Sequence, residues 1–151
     1  MRKKIIDIHD LKREFQVGGE TVNALGEVSF TIDTGEFVTI MGASGSGKTT
    51  LLNILGCLDK PTSRDYLLDG VEIKKLSRGE LAELRNHKIG FVFQFYNLLP
   101  RTTAIANVEL PLLYDKRTNS KGRHERAIHA LEALKLADRF EHTPNQVSGG
   151  Q

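Results

Sequence analysis

Gly42-Ala43-Ser44-Gly45-Ser46-Gly47-Lys48-Thr49 carries the spacing G-x-x-x-x-G-K-[ST]. That spacing is chemistry for phosphate. The glycines leave no Cβ between the backbone and an approaching anion, so successive N–H groups can turn inward onto its oxygens. Lys48 adds a mobile positive charge that can reach terminal phosphates, and the Thr49 hydroxyl is suited to Mg²⁺. The motif follows the apolar run Phe37-Val38-Thr39-Ile40-Met41 and precedes a leucine-rich segment. The pattern therefore predicts a strand, a phosphate-binding loop and a helix whose N-terminal partial charge points at the same anion. A nucleoside triphosphate is the ligand this arrangement implies.

The elements that must hold the loop are legible around it. Ile5–Ile8 and Val28–Ile32 alternate apolar and polar residues, as half-buried strands do, with Gly18-Gly19 as a turn between them. Thr34-Gly35 turns the chain into the Phe37–Met41 strand. Leu51, Leu52, Ile54, Leu55 and Leu58 make the following helix apolar nearly all round, and Pro61 is expected to stop it. Tyr66-Leu67-Leu68 with Asp69-Gly70 reads as strand and tight turn. Ser77-Arg78-Gly79-Glu80 opens a helix with a capping box. The continuous run Ile89–Phe93 fits a strand buried on both faces. Beyond it the chain turns helical, with Ala127, Ile128, Leu131 and Leu134 on one face of a helix over 121–135.

Composition narrows the classes. The chain has 151 residues, 39% hydrophobic and 26% charged, with a net charge of +2. These are ordinary values for a globular domain and give no electrostatic footprint for nucleic acid. Arg2-Lys3-Lys4 and Lys121–Arg126 are short basic clusters of solvated surface. The single cysteine, Cys57, excludes an internal disulfide and reads as buried filler. No apolar run approaches the ~20 residues of a membrane span. His9, His87, His124, His129 and His142 lack metal-ligand spacing.

A second motif lies at Val147-Ser148-Gly149-Gly150-Gln151, about a hundred residues after the loop. With the P-loop it resembles the LSGGQ signature of ATP-binding-cassette (ABC) ATPases, with valine in place of leucine. Gln94 stands at the position of that family's Q-loop glutamine and Phe15 at that of the aromatic that stacks on adenine. Asn53–Thr62 and Asn107–Leu112 resemble the branch of lipoprotein-release and macrolide-export ATPases, which serve FtsX-like permeases. Arg64-Asp65 departs from a glycine usual in that turn.

The resemblance implies an α/β fold: a P-loop NTPase core of ABC type, an N-terminal antiparallel β-subdomain and a helical subdomain. It divides the chain into a nucleotide-binding core over 1–94 and a helical subdomain over 95–151. It implies ATP and Mg²⁺ as cofactors. Lys48 and Gln94 would be catalytic, and Thr49 and Gln94 would hold the metal. Phe15, Val22, Gly42, Ser44, Gly45, Ser46, Gly47, Lys48, Thr49 and Thr50 would contact one nucleotide. Ser148, Gly149, Gly150 and Gln151 would contact the γ-phosphate held by a second, head-to-tail subunit. A membrane permease is the other implied partner, docked beside Phe95, Tyr96, Leu98 and the run Asn107–Leu113. The location implied is cytoplasmic, peripheral on the inner face of the membrane. No apolar strand ending in paired acids follows the P-loop. The expectation is thus the first two-thirds of a transporter ATPase, inactive without that acid-bearing strand. A soluble ABC ATPase, a P-loop kinase and a non-catalytic nucleotide-binding fragment stay as alternatives.

Overall fold

The protein is described by a computed structural model covering residues 2–62, 65–94, 97–115 and 117–148. It divides into two compact units, residues 1–89 and 90–151. The first is built on two long strands, β1 (Lys4–Val17) and β2 (Glu20–Asp33), joined at Gly18-Gly19. They pair antiparallel, with Ile6 opposite Ile32 and Phe15 opposite Val22. β3 (Asp65–Leu68) pairs with the other edge of β1, and β4 (Val71–Glu72) closes the sheet in the order β2-β1-β3-β4. The expected strands at 5–8, 28–32 and 66–68 and the Asp69-Gly70 turn are all present.

One face of this sheet is apolar, and helix α1 (Lys48–Leu55) packs into the same core. Ile8 and Leu11 of β1, Leu25 of β2 and Tyr66 of β3 are buried there with Leu51 and Ile54 of α1. Removing a side chain the size of Ile54 from water contributes about 2–3 kcal/mol. The buried Tyr66 hydroxyl donates to the Leu55 carbonyl at 2.7 Å, so its polar end meets the last turn of α1. Burial raises its pKa, and the phenol stays neutral as a donor. Helix α2 (Arg78–Lys88) begins at the capping box, Ser77 accepting from Glu80 N–H and Glu80 accepting from Ser77 N–H.

One expectation about the first helix is corrected. It stops at Leu55, well before Pro61, because Cys57 takes a left-handed conformation (φ 54°). Cys57 N–H then bonds Ile54 O, and Leu58 N–H bonds Asn53 O, the paired bonds that close a helix end. Of the apolar residues in this segment, Leu51 and Ile54 are buried, while Leu52 on α1 and Leu58 beyond its end are about half exposed. Cys57 itself is buried, as expected, and burial pushes its thiol pKa up.

A further correction concerns the two apolar runs. Neither Phe37–Met41 nor Ile89–Phe93 belongs to a strand. Phe37 and Met41 are 95% and 85% exposed, and Val92 is fully exposed. A strand buried on both faces needs hydrogen-bonded neighbours at its edges and cover above and below. The only sheet among the described residues is antiparallel, with its order already complete.

In the second unit, α3 (Ala104–Glu109) packs on α4 (Ser120–Ala133) through Ile105, Ala127 and Leu131, with Val108, Ile128, Leu136 and Phe140 around them. Thr103 and Asn119 cap the two helices by accepting from Ala106 and Gly122 N–H. The helix expected over 121–135 is thus present, ending two residues early. Asp115, in the segment that joins α3 to α4, is buried. The Arg117 guanidinium and N–H, and then Arg126, hold its carboxyl well below the usual range.

Candidate phosphate-binding site

The loop over 42–47 is held by its own lysine. Lys48 Nζ donates to Gly42 O at 2.8 Å and Ala43 O at 2.6 Å, and lies 3.5 Å from Ser46 Oγ. The ammonium therefore closes the loop into a ring around which backbone groups converge. Gly47 is the N-cap of α1 at φ 86°, a conformation that L side chains resist. A Cβ there would lie 2.7 Å from Ala24 O. Ala24 is the residue of β2 left unpaired where the register steps from Arg13–Leu25 to Glu14–Asn23. The irregularity in the hairpin thus brings a β2 carbonyl against the helix start. A Cβ on Gly42 would meet Ser46 Oγ at 2.6 Å, so this position too admits only glycine without a shift.

The start of α1 is prepared for an anion. No side chain caps it, and no acidic residue stands in its first turn. Its first N–H groups and the positive end of its dipole are left for a ligand. Thr49 is exposed on that turn and Thr50 half-buried; Ser44 is exposed at the loop tip. A triphosphate fits this cradle: glycine-only approach, an uncapped helix start and a cation already within the ring. Mg²⁺ fits as a partner of phosphate rather than as a protein-caged ion. Among the described residues no cluster of three or more His, Cys, Asp or Glu side chains forms a metal site, and Thr49 offers one hydroxyl.

Phe15 and Val22 face each other across the hairpin and are 38% and 47% exposed. Val22 precedes Ala24 by two residues, about 7 Å along β2. The expected aromatic thus stands on the strand pair that contacts the loop. Two residues around it were not anticipated. The Arg13 guanidinium lies 4.2 Å from the Phe15 ring centroid, and its Nε and Nη2 donate to Asp59 at 2.8 and 2.9 Å. Arg13 was readable from its i,i+2 spacing to Phe15. Asp59 follows in the chain by 46 residues, and nothing local marked it.

The remaining expected residues belong to the second unit. Gln94 and Ser148 are exposed. Phe95, Tyr96, Gly149, Gly150 and Gln151 lie outside the described residues. Leu98, Leu99, Leu113 and Tyr114 are all substantially exposed. Asn107 opens the run expected to meet the permease, and the structure gives it a role the sequence did not indicate. Its Oδ1 accepts from Leu99 N–H, and the two Nδ2 hydrogens are shared among Thr102 Oγ1 and the carbonyls of Leu99, Thr102 and Thr103. It fixes the loop before α3. No helix among the described residues is long and apolar enough to cross a membrane.

Comparison with known proteins shows the family. The family model described as ABC transporter matches residues 25–151. YvrO of Bacillus subtilis, an ABC transporter ATP-binding protein, is 49% identical over 97% of this chain and 64% of its own length. The macrolide export ATP-binding/permease protein MacB of Brucella abortus is 52% identical over 97% of this chain and 23% of its own length. The dimeric ATP-binding cassette MJ0796, solved in a post-hydrolysis state bound to ADP and Pi, superposes with a TM-score of 0.84 at 46% identity. That match takes in 97% of this chain and 64% of MJ0796. The chain spans just under two-thirds of YvrO and MJ0796 and about a quarter of MacB. On sequence and fold together, the chain belongs to the ABC transporter family and carries its ATP-binding P-loop fold.

Proposed function

We propose that this protein supplies the ATP-binding part of an ABC transporter and couples ATP binding and hydrolysis to export or release by a membrane permease. The observation that carries the reading is the loop closed by Lys48 ahead of an uncapped helix start. Lys48 has two modes there. It neutralises the Gly42 and Ala43 carbonyls in this structure, and a β- or γ-phosphate would draw it off them as a stronger, charged acceptor. The N–H groups of the loop and of the first turn of α1 bind and orient the phosphates. Thr49, with Thr50 beside it on α1, offers a hydroxyl, and Gln94 a carboxamide, for Mg²⁺. Bound Mg²⁺ would neutralise charge on the β- and γ-phosphates. Phe15 and Val22 flank the adenine, Phe15 as a stacking face.

In this reading Ser148, Gly149, Gly150 and Gln151 grip the γ-phosphate on a second, head-to-tail subunit. The dimeric state of the MJ0796 cassette supports that arrangement. A permease as the other partner is supported by MacB, whose name joins ATP-binding and permease functions in one protein. In this reading the exposed Leu98 and Leu99 meet that permease, and the protein works on the cytoplasmic face of the membrane. This reading includes no nucleic-acid partner, and the net charge of +2 gives no electrostatic footprint that calls for one. The test is equilibrium binding of ATP with Mg²⁺ by folded wild type and Lys48→Ala. An affinity lower by about tenfold or more is expected, since a charge-assisted contact to phosphate is lost. Equal affinities would overturn the reading.

A further inference from the structure

Phe15 is a large apolar side chain left 38% exposed on a strand, and what stands behind it is unusually well fixed. Residues 13 and 15 emerge on the same face of β1. The Arg13 guanidinium covers one face of the ring, 4.2 Å from its centroid. That guanidinium is no loose surface charge: two of its nitrogens are forked onto the two oxygens of Asp59, and its side chain is only 22% exposed. A bidentate pair fixes the plane of the guanidinium as well as its place. Asp59 is anchored in turn. Its N–H donates to Asn53 O of α1, and its Oδ1 accepts from Lys60 N–H. A connected path therefore runs from the phosphate loop through α1 to Asp59, to Arg13 and to the ring of Phe15.

We infer that Arg13 is a positioning residue for the nucleobase: held by Asp59, it backs Phe15 and presents the ring's opposite face to the purine. The inference rests on the reading of Phe15 as the adenine platform. Cation on one face and base on the other form a three-layer stack. The positive charge draws ring electron density towards itself, which favours an electron-rich purine on the far face. Anchoring the cation to α1 also fixes the distance between the base platform and the phosphate cradle. The ring is then preorganised, and less side-chain entropy is lost when the base arrives.

The test compares ATP with inorganic tripolyphosphate, which has the phosphates but no base, for wild type, Phe15→Ala, Arg13→Ala, Asp59→Asn and the Phe15→Ala/Arg13→Ala double variant. Phe15→Ala is expected to weaken ATP about tenfold, as loss of one stacked base does. Arg13→Ala is expected to weaken ATP about two- to fivefold. Asp59→Asn should act in the same direction by less, and tripolyphosphate affinity should stay unchanged throughout. In the Phe15→Ala background, removal of Arg13 should have no further effect. If Phe15→Ala weakens ATP while Arg13→Ala and Asp59→Asn do not, the inference fails and the platform reading stands. If Phe15→Ala leaves ATP binding unchanged, the platform reading fails and takes the inference with it. Parallel loss of ATP and tripolyphosphate in the Arg13 variant would mean a general structural role and overturn the inference. Should Arg13→Ala not fold, Asp59→Asn decides by the same criteria.

Discussion

The hairpin strands and the run Phe37–Met41 are made of much the same residues, and they end in opposite states. β1 and β2 alternate polar and apolar side chains and find each other across a two-residue turn, so each strand's partner is its chain neighbour. Their inward residues Ile8, Leu11 and Leu25 are buried. Phe37–Met41 is more continuously apolar, yet Phe37 and Met41 lie open to solvent. Hydrophobicity alone does not make a strand. A ladder of hydrogen bonds does, and antiparallel hairpins supply theirs locally, whereas a doubly covered strand depends on partners distant in sequence. The phosphate loop sits between these two regimes. One end of it packs through Gly47 against the hairpin at Ala24, and the other follows the run Phe37–Met41, which is in no strand.

This contrast should be visible in stability. The largest effect is expected at Ile54, fully buried in α1 against the hairpin. Ile54→Ala should cost about 2–5 kcal/mol, read as a fall in the urea midpoint with unchanged m-value. A loss below about 1 kcal/mol would show that the hairpin and helix do not share a core. A smaller effect is expected at Asp69, in the turn between β3 and β4. Lys3 and Lys88 hydrogen-bond its carboxylate and pull its pKa down to about 2 from 3.8. A depressed carboxylate pKa means that the unfolded chain protonates first. Its stabilising contribution is therefore complete above about pH 4 and is lost as the pH falls towards 2. Asp69→Asn keeps a residue that tolerates the turn's φ of 50°. Wild type should be more stable than this variant near neutral pH, and the difference should vanish in acid. A difference that persists at low pH would assign the effect to the turn rather than to the charges.

The parts of the fold that were legible in sequence are those specified over short distances. The capping box at Ser77, the turns at Gly18-Gly19 and Asp69-Gly70, and the amphipathic face of α4 are all patterns within a few residues. The phosphate loop is legible for the same reason, since Gly42 to Thr49 carries its whole geometry. What could not be read is non-local or conformational. The end of α1 depends on Cys57 accepting a left-handed conformation that composition assigns to glycine. Asp59 meets Arg13 only after the chain has folded, and Asn107 owes its role to three loop carbonyls that converge on one amide. The two apolar runs were misread because periodicity reports burial potential and says nothing of available partners.

The smallest expected effect is the sharpest test of that last point. Phe37→Ser and Val92→Ser remove large apolar side chains from positions that ordinary strand logic would place in the core. In this chain both side chains are almost wholly exposed, so little apolar surface returns to water on unfolding. Each substitution should change stability by no more than about 0.5 kcal/mol, as surface changes do. Phe91 and Phe93 differ from them in one respect, because their rings stack at 5.5 Å and 4° and share some area. Phe93→Ser should consequently cost slightly more than Val92→Ser, by about 0.5–1.5 kcal/mol for a lost aromatic pair. Urea denaturation of the three variants gives the ranking directly. A loss of 2 kcal/mol or more at Phe37 or Val92 would mean that these two side chains are packed in solution. The difference between hairpin strand and lone apolar run would then lie in something other than the supply of partners.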